Sequence, residues 1–381
     1  MKHTKNIAIA GAGLVGRVVA LTLLRTHPDL RITFFEEGTK ESVDAAGFTA
    51  AGMLAPYAEL ETAESVIFGL GHRSIALWPA LLKAVGLYDG FQQRGTLITA
   101  HPQDWGELEH FIGMLRHKVD IRERITPLDP AGITELEPDL SRHQKGFFLP
   151  DEGVVDAQRF MAFSGTFFDR YPNVTFREHT PVVRLEAGTI HTARGTETFD
   201  WVFDTRGLGA REHFADLRGV RGEVLWVEAN DIDITRPTRL MHPRYKLYIV
   251  PRGNGCAGID LEYCQTCQLS QTTGYKRYIV GATEIESEDT SPISVRSSLE
   301  LLSALYTVHP SFGEARVVNS ETNCRPAFRD NLPRIENARG ITRINGLYRH
   351  GYLLAPAIVE QALHEGLLAT DTQKEHHADH R

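Results

Sequence analysis

Cysteine is scarce in this chain, four residues in 381. So few excludes the disulfide framework that staples small secreted domains. Positive charge is not in excess either. Lys and Arg number 41 against 49 Asp and Glu, a formal charge of −8. That balance gives no electrostatic case for nucleic acid or an anionic membrane surface as partner. No apolar run reaches the length of a spanning helix, so no membrane partner is expected. No metal site is expected: His376, His377 and His380 fall in the polar tail Asp371 to Arg381 and read as solvated side chains. Met1 to Leu24 has basic and then apolar residues, like a signal peptide, but its glycines fall where a nucleotide turn needs them. It is expected to be a folded first strand in a cytoplasmic protein. The length implies two domains.

The most informative stretch is Asn6 to Glu37. Ile7 to Ala10 is an apolar run typical of a buried parallel strand. Gly11, Gly13 and Gly16 follow in G-x-G-x-x-G spacing, then Val15, Val18, Val19, Leu21, Thr22, Leu23 and Leu24 as a helix, then a second apolar run, Ile32 to Phe35, ending in Glu36 and Glu37. In such a βαβ unit Gly11 allows the tight turn, Gly13 lets backbone approach a pyrophosphate, and Gly16 lets helix and strand pack closely. The helix N-terminus offers free N–H groups to the phosphates. Glu36, about 20 residues after the last glycine, stands where an acid accepts ribose hydroxyls, which favours FAD or NAD over NADP.

Further on, Ala45 to Pro56 is a run of small residues suited to close approach to a ligand or to tight helix packing. A helical stretch is expected over Ala63 to Val85, a strand over Gly95 to Ala100, and helices over Trp105 to Lys118 and Ile133 to Pro138. Extended pieces follow at Gly146 to Pro150 and Gly153 to Asp156, with Asp156 capping a helix Ala157 to Arg170. Strands are expected at Val174 to Phe176 and Val182 to Leu185, and a hairpin pairs Thr189 to Thr192 with Glu197 to Phe203. The last strand runs into Thr205 to Ala210, where backbone at Gly207 could meet a cofactor or simply turn. From Gly219 to Arg329 strands dominate (Glu223 to Glu228, Leu247 to Val250, Tyr278 to Ala282) around one helix, Ser294 to His309. Ile344 to Pro356 is a strand, a glycine turn and the start of a helix running to about Thr370.

These motifs together resemble glycine oxidase and its relatives in the D-amino-acid oxidase family of flavoproteins, over nearly the whole chain. The likeness rests on G-A-G-L-V-G and on A-A-G-M-L-A-P (Ala50 to Pro56), E-H-T-P-V (Glu178 to Val182) and Y-I-V-P-R (Tyr248 to Arg252). It rests also on V-G-A-T (Val280 to Thr283), C-R-P (Cys324 to Pro326) and Y-R-H-G-Y-L-L-A-P (Tyr348 to Pro356). The resemblance implies an α/β fold: a Rossmann-type, glutathione-reductase-like FAD domain (1–86, 146–218, 330–381) and a mainly antiparallel substrate domain (87–145, 219–329). Leu14 and Val15 would lie at the pyrophosphate and Glu36, beside Glu37, at the ribose. Ala51, Gly52 and Met53 would run along the flavin, and Val182 would contact adenine. Leu347, Tyr348, Arg349, His350, Gly351, Tyr352 and Leu353 would close over the ring. Gly351 opens a helix whose positive end suits the flavin's electron-rich edge. Arg325 would clamp a substrate carboxylate bidentately, Tyr248 would add a donor, and Arg349 would be a second arginine near substrate and flavin.

The implied activity is oxidative deamination of a small, glycine-like amine to an imine and oxo acid, with dioxygen reduced to hydrogen peroxide and the imine drawn into thiamine thiazole synthesis. FAD would be noncovalent, although Cys324 lies near the covalent attachment position of sarcosine oxidases. The run Cys256 to Arg277, with Cys264 and Cys267 spaced C-x-x-C, departs from the family's short hairpin. Arg329, Arg334, Lys246 and the Asp204 to Gly207 turn also depart, and they bear on the substrate rather than the flavin. A D-amino-acid or sarcosine oxidase, a dehydrogenase with another acceptor, and a flavoprotein acting on a partner protein through the 256–277 segment are the competing readings. The oligomeric state, a homo-oligomer included, is left open.

Overall fold

The computed structural model describes residues 5–41, 44–60, 65–118, 124–242, 246–252 and 276–368. The Cys264–Cys267 pair and the histidine tail lie outside the described residues.

Two large sheets carry the fold. The first has six strands, in the order Arg334–Ala338, Ile341–Asn345, Trp201–Asp204, Asn6–Ala10, Arg31–Phe35 and Val174–Arg177. All neighbours are parallel except the Arg334–Ala338 edge strand, which is antiparallel. Ile7, Ala8, Ile9 and Ala10 are all wholly buried, because both faces of their strand are covered. On one face pack the helices Leu14–Thr26, Ser65–Ala84 and Gly351–Glu365. On the other face, Leu185 and Ile190 of a small antiparallel sheet pack against Ala8, Ala10 and Val202.

The second sheet has eight strands, in the order Arg316–Ala327, Arg218–Ala229, Lys276–Gly281, Lys246–Arg252, Thr238–Met241, Thr96–Ala100, Gly146–Leu149 and Thr126–Leu128. Only the Thr238–Met241 and Thr96–Ala100 pair is parallel. The Val295–Val308 helix, capped by the Ser294 side chain, packs its apolar face on this sheet. A second small sheet joins Met53–Leu54, Gly153–Val155 and Phe91–Gln92.

Three sequence expectations need correction. The strand expected over Glu197 to Phe203 is two strands: Gly195–Thr198 stays in the hairpin, while Trp201–Asp204 enters the six-stranded sheet. Asp200 sits at the break, where its carboxylate accepts the Asn6 N–H at 2.7 Å. The final helix is Gly351–Glu365 rather than reaching Thr370. The expectation that nothing is long and apolar enough to span a membrane also fails, since Ser65–Ala84 passes that test. It is a core helix here: Trp78 is wholly buried and its indole N–H donates to the Tyr352 carbonyl at 2.9 Å. The strand Gly146–Leu149 pairs in the eight-stranded sheet, and Gly219 lies inside the Arg218–Ala229 strand.

The helix-on-strand packing at Gly16 has no slack. A Cβ there would stand 2.1 Å from the Gly11 carbonyl oxygen and 2.8 Å from Thr205 Oγ1. The first is backbone and the second is a hydroxyl bonded to the Ala10 and Gly11 carbonyls, so the helix would have to move. We expect Gly16→Ala to destabilise the protein by at least about 2 kcal/mol in denaturant unfolding; a loss under ~0.5 kcal/mol would show that the helix shifts freely.

Candidate active site

A cavity of about 730 Å³ is lined by residues from both large sheets, a size ordinary for a small-molecule site. The sequence-predicted residues converge on its wall: Gly11, Gly13, Leu14, Val15, Glu36, Glu37, Ala51, Gly52, Met53, Val182, Gly207, Tyr248, Arg325 and the whole of Leu347 to Leu353. Gly16 stands behind it.

The nucleotide turn is bare backbone. Gly11 has φ +91°, and a Cβ on it would lie 2.7 Å from the Thr205 carbonyl oxygen. A Cβ on Gly13 would meet nothing nearer than Ala45 Cβ at 3.7 Å, so space lies over that peptide. The Leu14–Thr26 helix begins without a side-chain cap, which leaves its first amides open to a ligand. Glu36 accepts from the Ala12 N–H at 2.7 Å and the Gly38 N–H at 3.1 Å. A carboxylate has about four acceptor sites, so ribose hydroxyls can still donate to it. The Val182 carbonyl is already taken by Arg206 Nη1 at 3.1 Å.

The Ala51 to Met53 wall is held from three sides. Arg252 donates to the Ala51 carbonyl at 2.5 Å, the Gly52 carbonyl accepts from Val155 N–H at 2.8 Å, and Met53–Leu54 pairs with Gly153–Val155. Opposite in sequence, Asn345 ends its strand and donates to the Gly207 carbonyl at 2.9 Å. Gly346 turns the chain at φ +75°, and Tyr348 holds φ +52°, a conformation that side chains adopt rarely. The Gly351–Glu365 helix starts there, uncapped by any side chain, with its N-terminus on the cavity.

The cationic groups differ in how they are held. Arg325 Nη1 and Nη2 donate to the Thr283 carbonyl at 3.1 and 3.2 Å. It lies across Gly222, where a Cβ would overlap the guanidinium at 2.1 Å. Tyr248 lies three strands away from Arg325 in the same sheet, and a Cβ on Gly281 would stand 3.0 Å from its hydroxyl. Burial raises the Tyr248 phenol above its ordinary range, so it stays a donor. Arg349, expected as a second substrate arginine, is bound on both sides. Its Nε and Nη2 donate to Glu59 at 2.9 and 2.8 Å, and Nη1 to Glu284 at 2.7 Å. Burial works to raise the Glu59 carboxyl, but the charges of His350, Arg349 and Arg239 outweigh it and hold the group low. Arg349 therefore ties the Leu347 to Leu353 turn to two other wall segments.

Open amides at one helix start, an acid with spare lone pairs and a second helix start on the same cavity fit a dinucleotide carrying an electron-rich ring. The pattern of the FAD dependent oxidoreductase family, DAO, matches residues 6–362. The chain belongs to that family. FAD is the cofactor of this family, and its members are oxidoreductases. A Rhizobium etli protein named as a thiamine biosynthesis oxidoreductase, ThiO, is 36% identical over 378 residues, covering 98% of this chain and 99% of that protein. Among solved structures, glycine oxidase from Geobacillus kaustophilus superposes with a TM-score of 0.75 at 23% identity, covering 95% of this chain and 94% of that one. Iminodiacetate oxidase from Chelativorans superposes at 0.72 and 18% identity, covering 94% of both chains. Both share the fold.

Several wall residues and residues that support the wall escaped sequence reasoning. Glu59, Glu284, Asn345 and Arg252 make their bonds across large sequence separations, 290 residues for Glu59 with Arg349. Gly222 and Gly281 sit inside strands, where a glycine signals close approach without naming what approaches.

Glu152 holds the backbone just before Glu59. It is wholly buried and accepts the Tyr57 and Ala58 N–H groups at 3.1 and 3.2 Å. Burial outweighs those bonds and pushes its carboxyl up to about 7. The stability gained from the neutral acid is complete below the ordinary value of 4.5 and is lost as pH rises through about 7. Glu152→Gln should therefore match the parent near pH 4.5 and exceed its stability by about 1–3 kcal/mol at pH 8; parallel curves for the two proteins would show an ordinary carboxylate.

Proposed function

We propose that the protein is an oxidase of a small, glycine-like amino acid. Arg325 carries this reading. Its planar fork, seated by the missing Cβ of Gly222 on the same cavity as the nucleotide turn, suits a carboxylate held by two charge-assisted bonds. Tyr248 adds a neutral donor. The wall between them fixes the substrate's α-carbon by its carboxylate, and orientation is the chain's main contribution. Bound FAD supplies the electron acceptor for hydride loss from that carbon. The amine enters unprotonated and leaves as an imine, which water converts to the oxo acid and ammonia. Dioxygen takes up the two electrons and two protons as hydrogen peroxide. The name of the Rhizobium etli relative, a thiamine biosynthesis oxidoreductase, supports use of the product in that synthesis. The six-stranded sheet would form the cofactor domain and the eight-stranded sheet, with Gly146–Leu149, the substrate domain, in a cytoplasmic protein. Arg349, neutralised by Glu59 and Glu284, acts by holding the turn over the ring rather than as a second clamp.

Peroxide release with glycine, sarcosine, D-alanine, iminodiacetate and a simple amine tests the assignment. Glycine or a close analogue should be the best substrate and the simple amine inert. Arg325→Lys keeps the charge but loses the fork, so KM should rise about 10- to 100-fold, a loss of roughly 1.5–3 kcal/mol, with FAD still bound. Equal turnover of the simple amine would end the carboxylate reading.

Glu36→Ala should weaken FAD binding by roughly 1.5–3 kcal/mol in apoprotein titrations. Unchanged affinity would mean that the acid serves only the Ala12 and Gly38 amides.

A further inference from the structure

Arg17 follows the last glycine of the nucleotide turn, and its side chain is wholly buried. A guanidinium does not give up its proton in proteins, and removing such an ion from water is costly unless a counter-charge faces it. Its hydrogen bonds are all to neutral acceptors. Nε donates to the Ala12 carbonyl at 2.7 Å, Nη1 to the Met161 carbonyl at 2.7 Å and to Ser164 Oγ at 3.0 Å, and Nη2 to the Lys40 carbonyl. Burial pulls its pKa down to about 10, and Tyr352, Glu36, Glu41 and Asp169 offset only part of that from a distance. Among the described residues no carboxylate hydrogen-bonds to it.

The position of this charge is informative. Ala12 is gripped at both polar groups: its N–H by Glu36 and its carbonyl by Arg17, each at 2.7 Å. In a trans peptide C=O and N–H point in opposite directions. Holding the Ala12 carbonyl on the buried side therefore turns the Gly13 N–H the other way, away from Arg17, at a residue that lines the cavity. The bond to Lys40 holds the end of the segment whose Glu36 to Thr39 portion lines the cavity. The guanidinium carbon lies 5.6 Å from the ring centroid of Phe48, another wall residue.

We propose that Arg17 is a positioning residue for the cofactor's pyrophosphate: it aims the Gly13 amide from behind the wall, and its unpaired buried charge finds its counter-charge in the diphosphate. The inference rests on FAD as the cofactor and is independent of which amine is oxidised. A charge lent across one layer of protein differs from a hydrogen-bond brace in what replaces it. Lysine keeps the charge and loses most of the bonds, whereas glutamine keeps some bonds and loses the charge.

The test is FAD affinity of the apoproteins, read by quenching of flavin fluorescence, beside their melting temperatures without FAD. The parent is titrated first, and failure there would remove the cofactor assignment itself. Arg17→Lys should melt lower than the parent yet bind FAD within about threefold of it. Arg17→Gln should bind at least about tenfold more weakly, with the gap to the parent narrowing at 500 mM salt. Parent-like binding by Arg17→Gln, or equal weakening in both variants, overturns the proposal in favour of a brace. Should Arg17→Gln not fold, Arg17→Lys decides alone, since a tenfold or greater loss of affinity with the charge retained is equally fatal.

Discussion

The nucleotide side of the molecule depends on one close contact, where a helix start, a strand end and a second strand end meet around the Thr205 hydroxyl. Gly16 lies against the Gly11 carbonyl, and Thr205 donates from its hydroxyl to the Ala10 and Gly11 carbonyls, each at 2.9 Å. Thr205 follows the Trp201–Asp204 strand, so this contact sets the Asn6–Ala10 strand, its neighbour and the Leu14–Thr26 helix in one arrangement. The wall of the cavity inherits that arrangement through Gly207 and Asn345.

Buried and half-buried arginines do much of the remaining fixing, and they do it through main-chain oxygens. Arg17 holds the Ala12 carbonyl, Arg252 the Ala51 carbonyl and Arg325 the Thr283 carbonyl. Each carbonyl belongs to a wall residue or lies beside one. A fork with several donors can orient a peptide that has no regular partner, which suits loops that must be rigid without being helix or strand. Arg349 extends the pattern to carboxylates.

The first third of the site was legible in the sequence because its signal is local. A strand, three glycines at fixed spacing, a helix, a strand and an acid fall within Asn6 to Glu37, and the structure reproduces them nearly residue for residue. The helices Trp105–Lys118 and Ala157–Arg170 were legible for the same reason, by periodicity and by the Asp156 cap. The Arg316–Ala327 and Thr238–Met241 strands were not. The former is mostly exposed or half-exposed along its length, so its residues show little apolar alternation. Arg349 was visible as a site residue, but its two carboxylate partners were not, since nothing near it in sequence announces them. The break at Asp200 was hidden because a continuous β-prone run does not reveal where a strand leaves one sheet for another.

Gly222 and Arg325 occupy neighbouring strands, Val220 pairing with Arg325 and Gly222 with Asn323, and the guanidinium fills the space that a side chain at 222 would take. The two positions therefore carry one piece of information between them. Exchanging the arginine alone leaves a hole over a bare strand, and adding a side chain at 222 alone collides with the fork. A lineage changing what this end of the cavity recognises must cross one of those two unfavourable intermediates or alter both sites together, a coupling expected of groups in direct contact. The Arg325 end of the cavity is thus slow to change by single steps.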